Sequence, residues 1–279
     1  MVFLGEQPWE VDLAHWRREQ PIITVHPQPL LASKAIRSDA AAALDFLGTY
    51  EWSEDGVQRR QPWVGGWRRL EQLLSAAPST TRADGIDLAH AMFAISARLD
   101  DDAIICLDAG NFGSWVHRYV ALREGQRLLA VADGSMGSAV PAAMALANRF
   151  TDRQVVAIVG DGGVMMTGNE LLMGPSAWRR PAVIVVDNGG YGAIRSQGAR
   201  TLPGADVAAE LRNPEWESWA HSMGMPAAVP SDNASANSAI SQALGDRCGR
   251  MVVLRVSPVA AHANFDLPGR SANELEGVK

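Results

Sequence analysis

The sequence predicts an α/β protein with a doubly wound parallel sheet over residues 78–258. Three observations carry that expectation. Short apolar runs recur, most of them rich in β-branched residues and without the alternation of a half-solvated strand: 103–107, 128–132, 155–159, 182–186 and 251–256. Stretches with helical periodicity separate them. Three of the runs end in polar or glycine-bearing clusters, Asp108-Ala109-Gly110, Gly160-Asp161-Gly162 and Asp187-Asn188-Gly189-Gly190. Continuous apolar strands alternating with helices indicate a sheet buried on both faces. Ligands of such sheets bind at the carboxyl ends of the strands, where these three clusters would form a rim.

The elements follow in order. Residues 1–77 are rich in Trp, Gln, Arg and Pro and are punctuated by Pro27, Pro29, Gly56, Pro62 and Gly65-Gly66. Only Pro21–Val25, a strand, and Asp39–Leu47, an Ala-rich helix stopped by Gly48, read as ordered there. This region is expected to be a fragment of a domain, or an arm that packs on something else. From Pro78 the pattern becomes regular. Gly85–Leu99 is an amphipathic helix with Ile86, Leu88, Met92, Phe93 and Ile95 on its apolar side. Ala103–Leu107 and Leu128–Ala132 are strands, and Val140–Phe150 is a helix. Val155–Val159 is a strand running through Gly160-Asp161-Gly162-Gly163 toward a helix over Asn169–Trp178. Ala182–Val186 is a strand, Pro214–Met223 and Ala234–Leu244 are helices, and Met251–Val256 is the last strand. Residues 259–279 form a tail.

Composition narrows the function. Apolar residues make up 47% of the 279 and charged residues 20%, which is ample for a packed core. The formal net charge is −6 without a basic stripe, so nucleic acid is not an expected partner. No apolar run approaches the length of a membrane span. The first residues carry Glu6, Glu10 and Asp12 where a secretory signal needs a basic start and an apolar centre. Two cysteines, Cys106 and Cys248, exclude a disulfide framework and a Cys-based zinc site. A cytoplasmic protein is the expectation.

The chemistry concentrates at Val155–Gly163. Glycines there allow the backbone to turn and to approach a ligand. The start of the following helix offers free N–H groups that suit phosphate. A carboxylate at Asp161 inside a phosphate turn is consistent with a bridging cation, and Mg²⁺ takes oxygen ligands shared with substrate phosphates. Asn188 offers a neutral amide oxygen, and Gly190 can turn its carbonyl inward. Asp161 reads equally as a helix cap and Asn188 as a turn residue when each is taken alone. There is no G-x-x-x-x-G-K-[ST] loop, and Met165 stands where a dinucleotide fingerprint needs its third glycine.

Gly160-Asp161-Gly162, then twenty-five residues (163–187), then Asn188 resembles the thiamine-diphosphate motif GDG-x(~25)-N. The segments GSMGSAVPAAMALA (134–147), VVAIVGDGGVMMTGNEL (155–171) and VIVVDNGGYGAIR (183–195) resemble the pyrophosphate-binding domain of the acetolactate synthase, benzoylformate decarboxylase and pyruvate decarboxylase superfamily. The resemblance covers about residues 80–258 and implies roles at matching positions. Asp161, Asn188 and the Gly190 carbonyl would hold Mg²⁺. The Gly162 and Gly163 amides would take the diphosphate, many relatives having Ser at the second. Met136 would be the apolar wedge that bends the cofactor so that its two rings face each other, a job suited to a flexible thioether. The Gly134 carbonyl would accept a hydrogen bond from the aminopyrimidine, with Ser135 beside it. Ala109, Gly110, Asn111 and Phe112 match the stretch that closes over the diphosphate. Synthase-type relatives often carry Gln and His at the last two. Tyr191 stands beside the metal loop, either packing or lining the site.

Other residues have plainer readings. Asp108 fixes a turn or joins the site. Met165 and Met166 are expected in the core, and Met136 is the third methionine with a core reading. Trp9, Trp63 and Trp67 suit an interface. His117 and Arg118 suit a surface helix or substrate contact, and His262 is a candidate cap over the site.

In this superfamily an activating glutamate comes from a separate pyrimidine-binding domain that the matched region does not contain. Residues 20–50 resemble the last part of the family's central domain. The resemblance therefore implies a split enzyme whose second subunit carries the pyrimidine-binding domain, most simply as a heterotetramer. Its expected reaction is decarboxylation of a 2-oxo acid and transfer of the acyl-anion equivalent to a carbonyl acceptor. The alternatives are a simple 2-oxo-acid decarboxylase subunit, a non-catalytic cofactor-binding partner and, lacking its glycine fingerprint, an NAD oxidoreductase.

Overall fold

The computed structural model describes residues 2–4, 23–26, 35–37, 40–49, 51, 53–74, 76, 84–173, 178–201, 209–245, 249–260 and 262–263. The expected boundary at 77–78, most of the 259–279 tail, Trp9 and Cys248 lie outside these residues. The chain forms two compact units, Met1–Leu70 and Glu71–Lys279.

In the first unit, β1 (Val2–Leu4), β2 (Ile23–His26) and β3 (Ala35–Arg37) pair in parallel in that order. Strands of three residues carry no readable period, which is why β1 and β3 escape the sequence pattern. Helix α1 (Ala40–Thr49) runs through Gly48, where a stop was expected. A single glycine in a last turn costs only about 1 kcal/mol of propensity. Helix α2 (Glu54–Leu74) is the larger correction. Its 21 residues contain Gly56, Pro62 and Gly65-Gly66, all expected as breaks. The Ser53 hydroxyl accepts the Gly56 amide at 3.3 Å, and Glu54 and Asp55 sit in the first turn, where negative charge is favourable. Pro62 removes the donor for the Gln58 carbonyl, and Gln58 is exposed, so water can replace it.

The second unit is the expected doubly wound α/β domain. Its six strands are β4 (Ile104–Leu107), β5 (Arg127–Leu129), β6 (Val155–Gly160), β7 (Ala182–Asp187), β8 (Ala227–Ala228) and β9 (Met251–Arg255). They lie in the order β5-β4-β6-β7-β9-β8 and every pair is parallel. Alternate residues feed two cores. Val156, Ile158, Ile184 and Leu254 face a core that includes α3 (Leu88–Ser96), α4 (Gly113–Tyr119) and α9 (Asn233–Gly245). Val155, Ala157, Val159, Val183 and Val253 face a second core with α5 (Ala139–Arg149), α6 (Asp161–Thr167) and α8 (Trp216–Ser222). Each large apolar side chain so buried contributes roughly 1.5–3 kcal/mol.

Several details differ from expectation, among them Phe93, which is 42% exposed and not on the buried side of α3, and β8, which had no sequence signal. The helix after β6 begins at Asp161 itself and tightens into a 3₁₀ turn at Gly168–Leu172, whereas a helix over 169–178 was expected. Gly168 packs too closely on Trp219 for a side chain, with a Cβ only 2.4 Å from its ring. Met165 and Met166 are 44% and 50% exposed on this chain, on the outer side of α6, and not core. Val164 and Leu171 take the buried positions instead. Helix α7 (Gly192–Thr201) was not legible, because glycines and polar residues obscure its period, and α4 was legible only as the surface helix of His117 and Arg118, without bounds.

The chain winds in opposite directions from β4, which leads to β5, and from β6, which leads to β7. That reversal opens a crevice at the carboxyl ends of β4 and β6.

Candidate functional site

A cavity of about 270 Å³ occupies this crevice. Of the residues selected from sequence, Ala109, Gly110, Asn111, Phe112, Gly134, Met136, Gly160, Asp161, Gly162, Asn188, Gly190 and Tyr191 line it. Ser135 and Gly163 do not. Ser135 lies in an exposed turn, its amide bonded to Asp133 Oδ1 at 3.0 Å. Gly163 sits behind the rim, where a Cβ would fall 1.9 Å from Asp108 Oδ2. Glycines 160, 162 and 163 do not have positive φ. Their value is space rather than unusual turning, which corrects the sequence argument. A Cβ at Gly162 would meet the Tyr191 ring at 2.6 Å and the Met136 methyl at 3.1 Å. Tyr191 and Met136 therefore both pack against the side of Gly162 that a Cβ would occupy. Met136 is 37% exposed, not core.

Asp161 is the focus of the rim. It is 2% exposed. Its Oδ1 accepts the Gly162 amide at 3.0 Å. Its Oδ2 accepts the Gly190 amide at 2.9 Å and Asn213 Nδ2 at 2.8 Å. An ionised carboxylate has about four acceptor positions. Three are filled, and the fourth is on Oδ1. Burial pushes the carboxyl up to about 6. The Asn213 hydrogen bond opposes the rise, the charge of nearby Asp187 adds to it, and the Gly162 and Gly190 amides oppose it. A buried carboxylate with a spare lone pair and a raised pKa suits a cation.

Asn188, the second candidate ligand, has a carboxamide with no hydrogen-bond partner among the described residues, and it lines the same cavity. Gly192 makes room for it, since a Cβ there would fall 2.4 Å from Asn188 Nδ2. The loop is held from below. Arg195, buried in α7, donates to the carbonyls of Asn188 and Gly189 at 3.2 Å each. Residues 209–211 pair with the loop through Tyr191 N to Ala209 O at 2.7 Å and Leu211 N to Gly189 O at 3.0 Å. No group of three His, Cys, Asp or Glu side chains converges among the described residues. A cation here would rest on one carboxylate and neutral oxygens, a donor set that suits Mg²⁺.

Asp108 directly follows β4 and is buried. Its carboxylate accepts the amides of Gly137 and Ser138 at 3.0 and 2.9 Å, and the Ser138 hydroxyl at 3.2 Å. It thereby anchors the turn that carries Met136, with Gly137 at φ 84°. Phe112 is buried against Gly110 and Gly160. Arg118 donates to the Ala263 carbonyl at 2.5 Å, and burial followed by the Arg118 charge lowers the His262 pKa. His117 is exposed on α4.

Sequence reading missed Gly192, Arg195, Asn213 and Trp216. Trp216 Nε1 donates to Asp187 Oδ2 at 2.7 Å, and Asn213 Nδ2 also reaches Asp187 Oδ1 at 2.8 Å. Asn213-Pro214-Glu215 looks locally like an ordinary helix start. No short-range signal ties it to residues 26 and 52 positions earlier.

The family described as "Thiamine pyrophosphate enzyme, C-terminal TPP binding domain" matches residues 108–256. The chain belongs to that family. Among its relatives, the acetolactate synthase large subunit of Parasynechococcus marenigrum (strain WH8102) is 27% identical over 258 residues, covering 90% of this chain and 42% of that protein. The acetolactate synthase large subunit of Lactococcus lactis subsp. lactis (strain IL1403) is 32% identical over 95 residues, 34% of this chain and 16% of that protein. The solved structure of the Rhodococcus jostii RHA1 thiamine diphosphate-dependent 4-hydroxybenzoylformate decarboxylase superposes with a TM-score of 0.69 at 18% identity, over 84% of this chain and 44% of that one. That likeness is one of fold. The chain thus spans less than half the length of these proteins. No helix among the described residues is long and apolar enough to cross a membrane.

Proposed function

We propose that this chain is the diphosphate-binding half of a thiamine-diphosphate- and Mg²⁺-dependent enzyme. In this reading it decarboxylates a 2-oxo acid, passes the acyl-anion equivalent to a carbonyl acceptor, and works in the cytoplasm with a second subunit that brings the pyrimidine-binding domain. The observation that carries the reading is the Asp161 carboxylate, buried at the cavity rim with one acceptor position left, beside the unpartnered Asn188 carboxamide. When bound, thiamine diphosphate supplies the carbon nucleophile and the electron sink for loss of CO₂.

The chain's own residues bind and orient. Asp161, Asn188 and the Gly190 carbonyl would hold the metal. The missing Cβ of Gly162 makes room for Met136 and Tyr191, which pack over it at the rim. The Gly134 carbonyl, on the same turn as Met136, would accept from the aminopyrimidine. Phe112, Leu88, Trp115, Val256 and Pro258 make the inner wall apolar, which excludes water from the reacting end. Partnership with a second subunit is supported by exposed apolar side chains at the cavity, Met136 and Ile194 among them.

Native mass spectrometry with Mg²⁺ and thiamine diphosphate tests the binding step. It compares the wild-type chain with Asp161→Ala, each alone and co-expressed with products of neighbouring genes. The expected result is a cofactor-retaining species for wild type and none for Asp161→Ala. Equal retention by both removes the metal assignment. Cofactor retention by the lone chain at full 2-oxo-acid turnover removes the need for a second subunit. Product analysis with pyruvate, acetolactate against acetaldehyde, separates carboligation from simple decarboxylation.

A further inference from the structure

We infer that Asn213 is a positioning residue for the candidate metal site, presenting Asp161 with its one open acceptor position on Oδ1. The inference rests on the reading of Asp161 as a cation ligand. Asn213 lies 52 residues beyond Asp161, in the segment that pairs with the 188–191 loop. Its Nδ2 is 2.8 Å from Asp161 Oδ2 and 2.8 Å from Asp187 Oδ1. Two amide hydrogens thus meet two buried carboxylates. The reverse orientation of the carboxamide would set its oxygen against both, so the acids themselves fix which way Asn213 points.

Asp187 is fixed in turn. Its Oδ1 also accepts the Gly189 amide at 3.0 Å, and its Oδ2 accepts the indole N–H of fully buried Trp216 at 2.7 Å. The chain Trp216–Asp187–Asn213–Asp161 therefore runs from the packed start of α8 to the rim. It has a cost, since Asn213 Oδ1 is buried without a hydrogen-bond partner. An unpartnered buried carbonyl is unfavourable, and it is tolerated here where both N–H groups are committed to the acids. With Asn213 and the Gly190 amide on Oδ2, and Gly162 on Oδ1, one lone pair remains for a ligand, and it is on Oδ1. Partners that orient a metal-binding carboxylate typically change metal affinity 10–100-fold when removed.

The test measures Mn²⁺ binding by electron paramagnetic resonance on the full chain with thiamine diphosphate present. It compares wild type, Asp161→Ala and Asn213→Leu, and melts each protein without metal. The expected result is loss of tight binding in Asp161→Ala and a dissociation constant raised at least tenfold in Asn213→Leu, at a temperature where both remain folded. A residue that merely supports folding would leave that constant unchanged below the melting point. Binding by Asn213→Leu within twofold of wild type, with Asp161→Ala defective, overturns the role of Asn213 and leaves the metal reading standing. Equal binding by wild type and Asp161→Ala overturns both. Should Asn213→Leu fail to fold, Asn213→Ser, with one hydrogen to donate for two acids, gives the reading in its place. Its expected loss lies between those of wild type and Asp161→Ala, and wild-type affinity there refutes the inference.

Discussion

Replacing Gly192 by alanine separates folding from ligand geometry more cleanly than any truncation in the site. Gly192 is the first residue of α7. A Cβ built there comes 2.4 Å from Asn188 Nδ2, and the next nearest atoms are the rest of that carboxamide, at 3.6 Å and 3.9 Å. The encounter is with the tip of a side chain that makes no hydrogen bond among the described residues, so it is relieved by rotating Asn188, not by moving backbone. Reaching ordinary contact near 3.4 Å needs a displacement of about 1 Å. The folding cost of such a rotation is of order 0.5–1.5 kcal/mol. The gain in helix propensity from Gly to Ala offsets roughly 0.5–1 kcal/mol of it. The melting temperature should therefore move by no more than a few degrees. The metal site has no such tolerance. Mg²⁺ holds its oxygens at about 2.0–2.1 Å in near-ideal octahedral geometry, so a ligand moved by about 1 Å is no longer a ligand. We expect the Mg²⁺ dissociation constant, read by calorimetry with thiamine diphosphate present, to rise roughly tenfold or more. A Gly192→Ala protein that binds Mg²⁺ as wild type does would refute Asn188 as a ligand. One that unfolds outright would refute the premise that only a side-chain tip stands in the way.

Two further outcomes follow from the electrostatics. The Asp161 carboxyl titrates near 6 in the fold against 3.8 ordinarily, so the native state binds more protons between those values. Stability of the metal-free protein from this group is then present below pH about 4 and is lost as pH rises toward 6. Melting curves of wild type and Asp161→Asn without metal should converge at low pH and diverge, wild type lower, by pH 7; parallel curves would contradict the assignment. Cys106, buried in β4, is pushed up to about 12 by burial. Its thiol should resist a thiol reagent at pH 8 in the native protein and react at once in denaturant, and rapid native labelling at Cys106 would show that β4 opens.

How much of this was legible beforehand depended on the range of the interaction. Ile104–Leu107, Val155–Gly160 and Ala182–Asp187 are wholly buried strands, and their apolar runs announce it, because a strand covered on both faces has no polar side to display. The spacing from Asp161 to Asn188 was equally visible, since one strand–helix–strand unit separates two adjacent strand ends. Helix α2 was hidden because Gly56, Pro62 and Gly65-Gly66 act locally as breakers, while the balance over 21 residues went the other way. Met165 and Met166 misled for the opposite reason: their side chains look apolar wherever they are, and only the packing of α6 through Val164 decides which face is buried. What tertiary structure alone decided is the support of the site. Asn213, Trp216, Arg195 and Gly192 carry no motif. They matter because a parallel sheet wound in both directions brings the end of β7, the start of α7 and the residues before α8 against the carboxyl end of β6. Sequence determines which strand ends can bear ligands. Which lone pair of Asp161 is left for one depends on hydrogen bonds from residues 1, 29 and 52 positions away, and only folding brings the last two into reach.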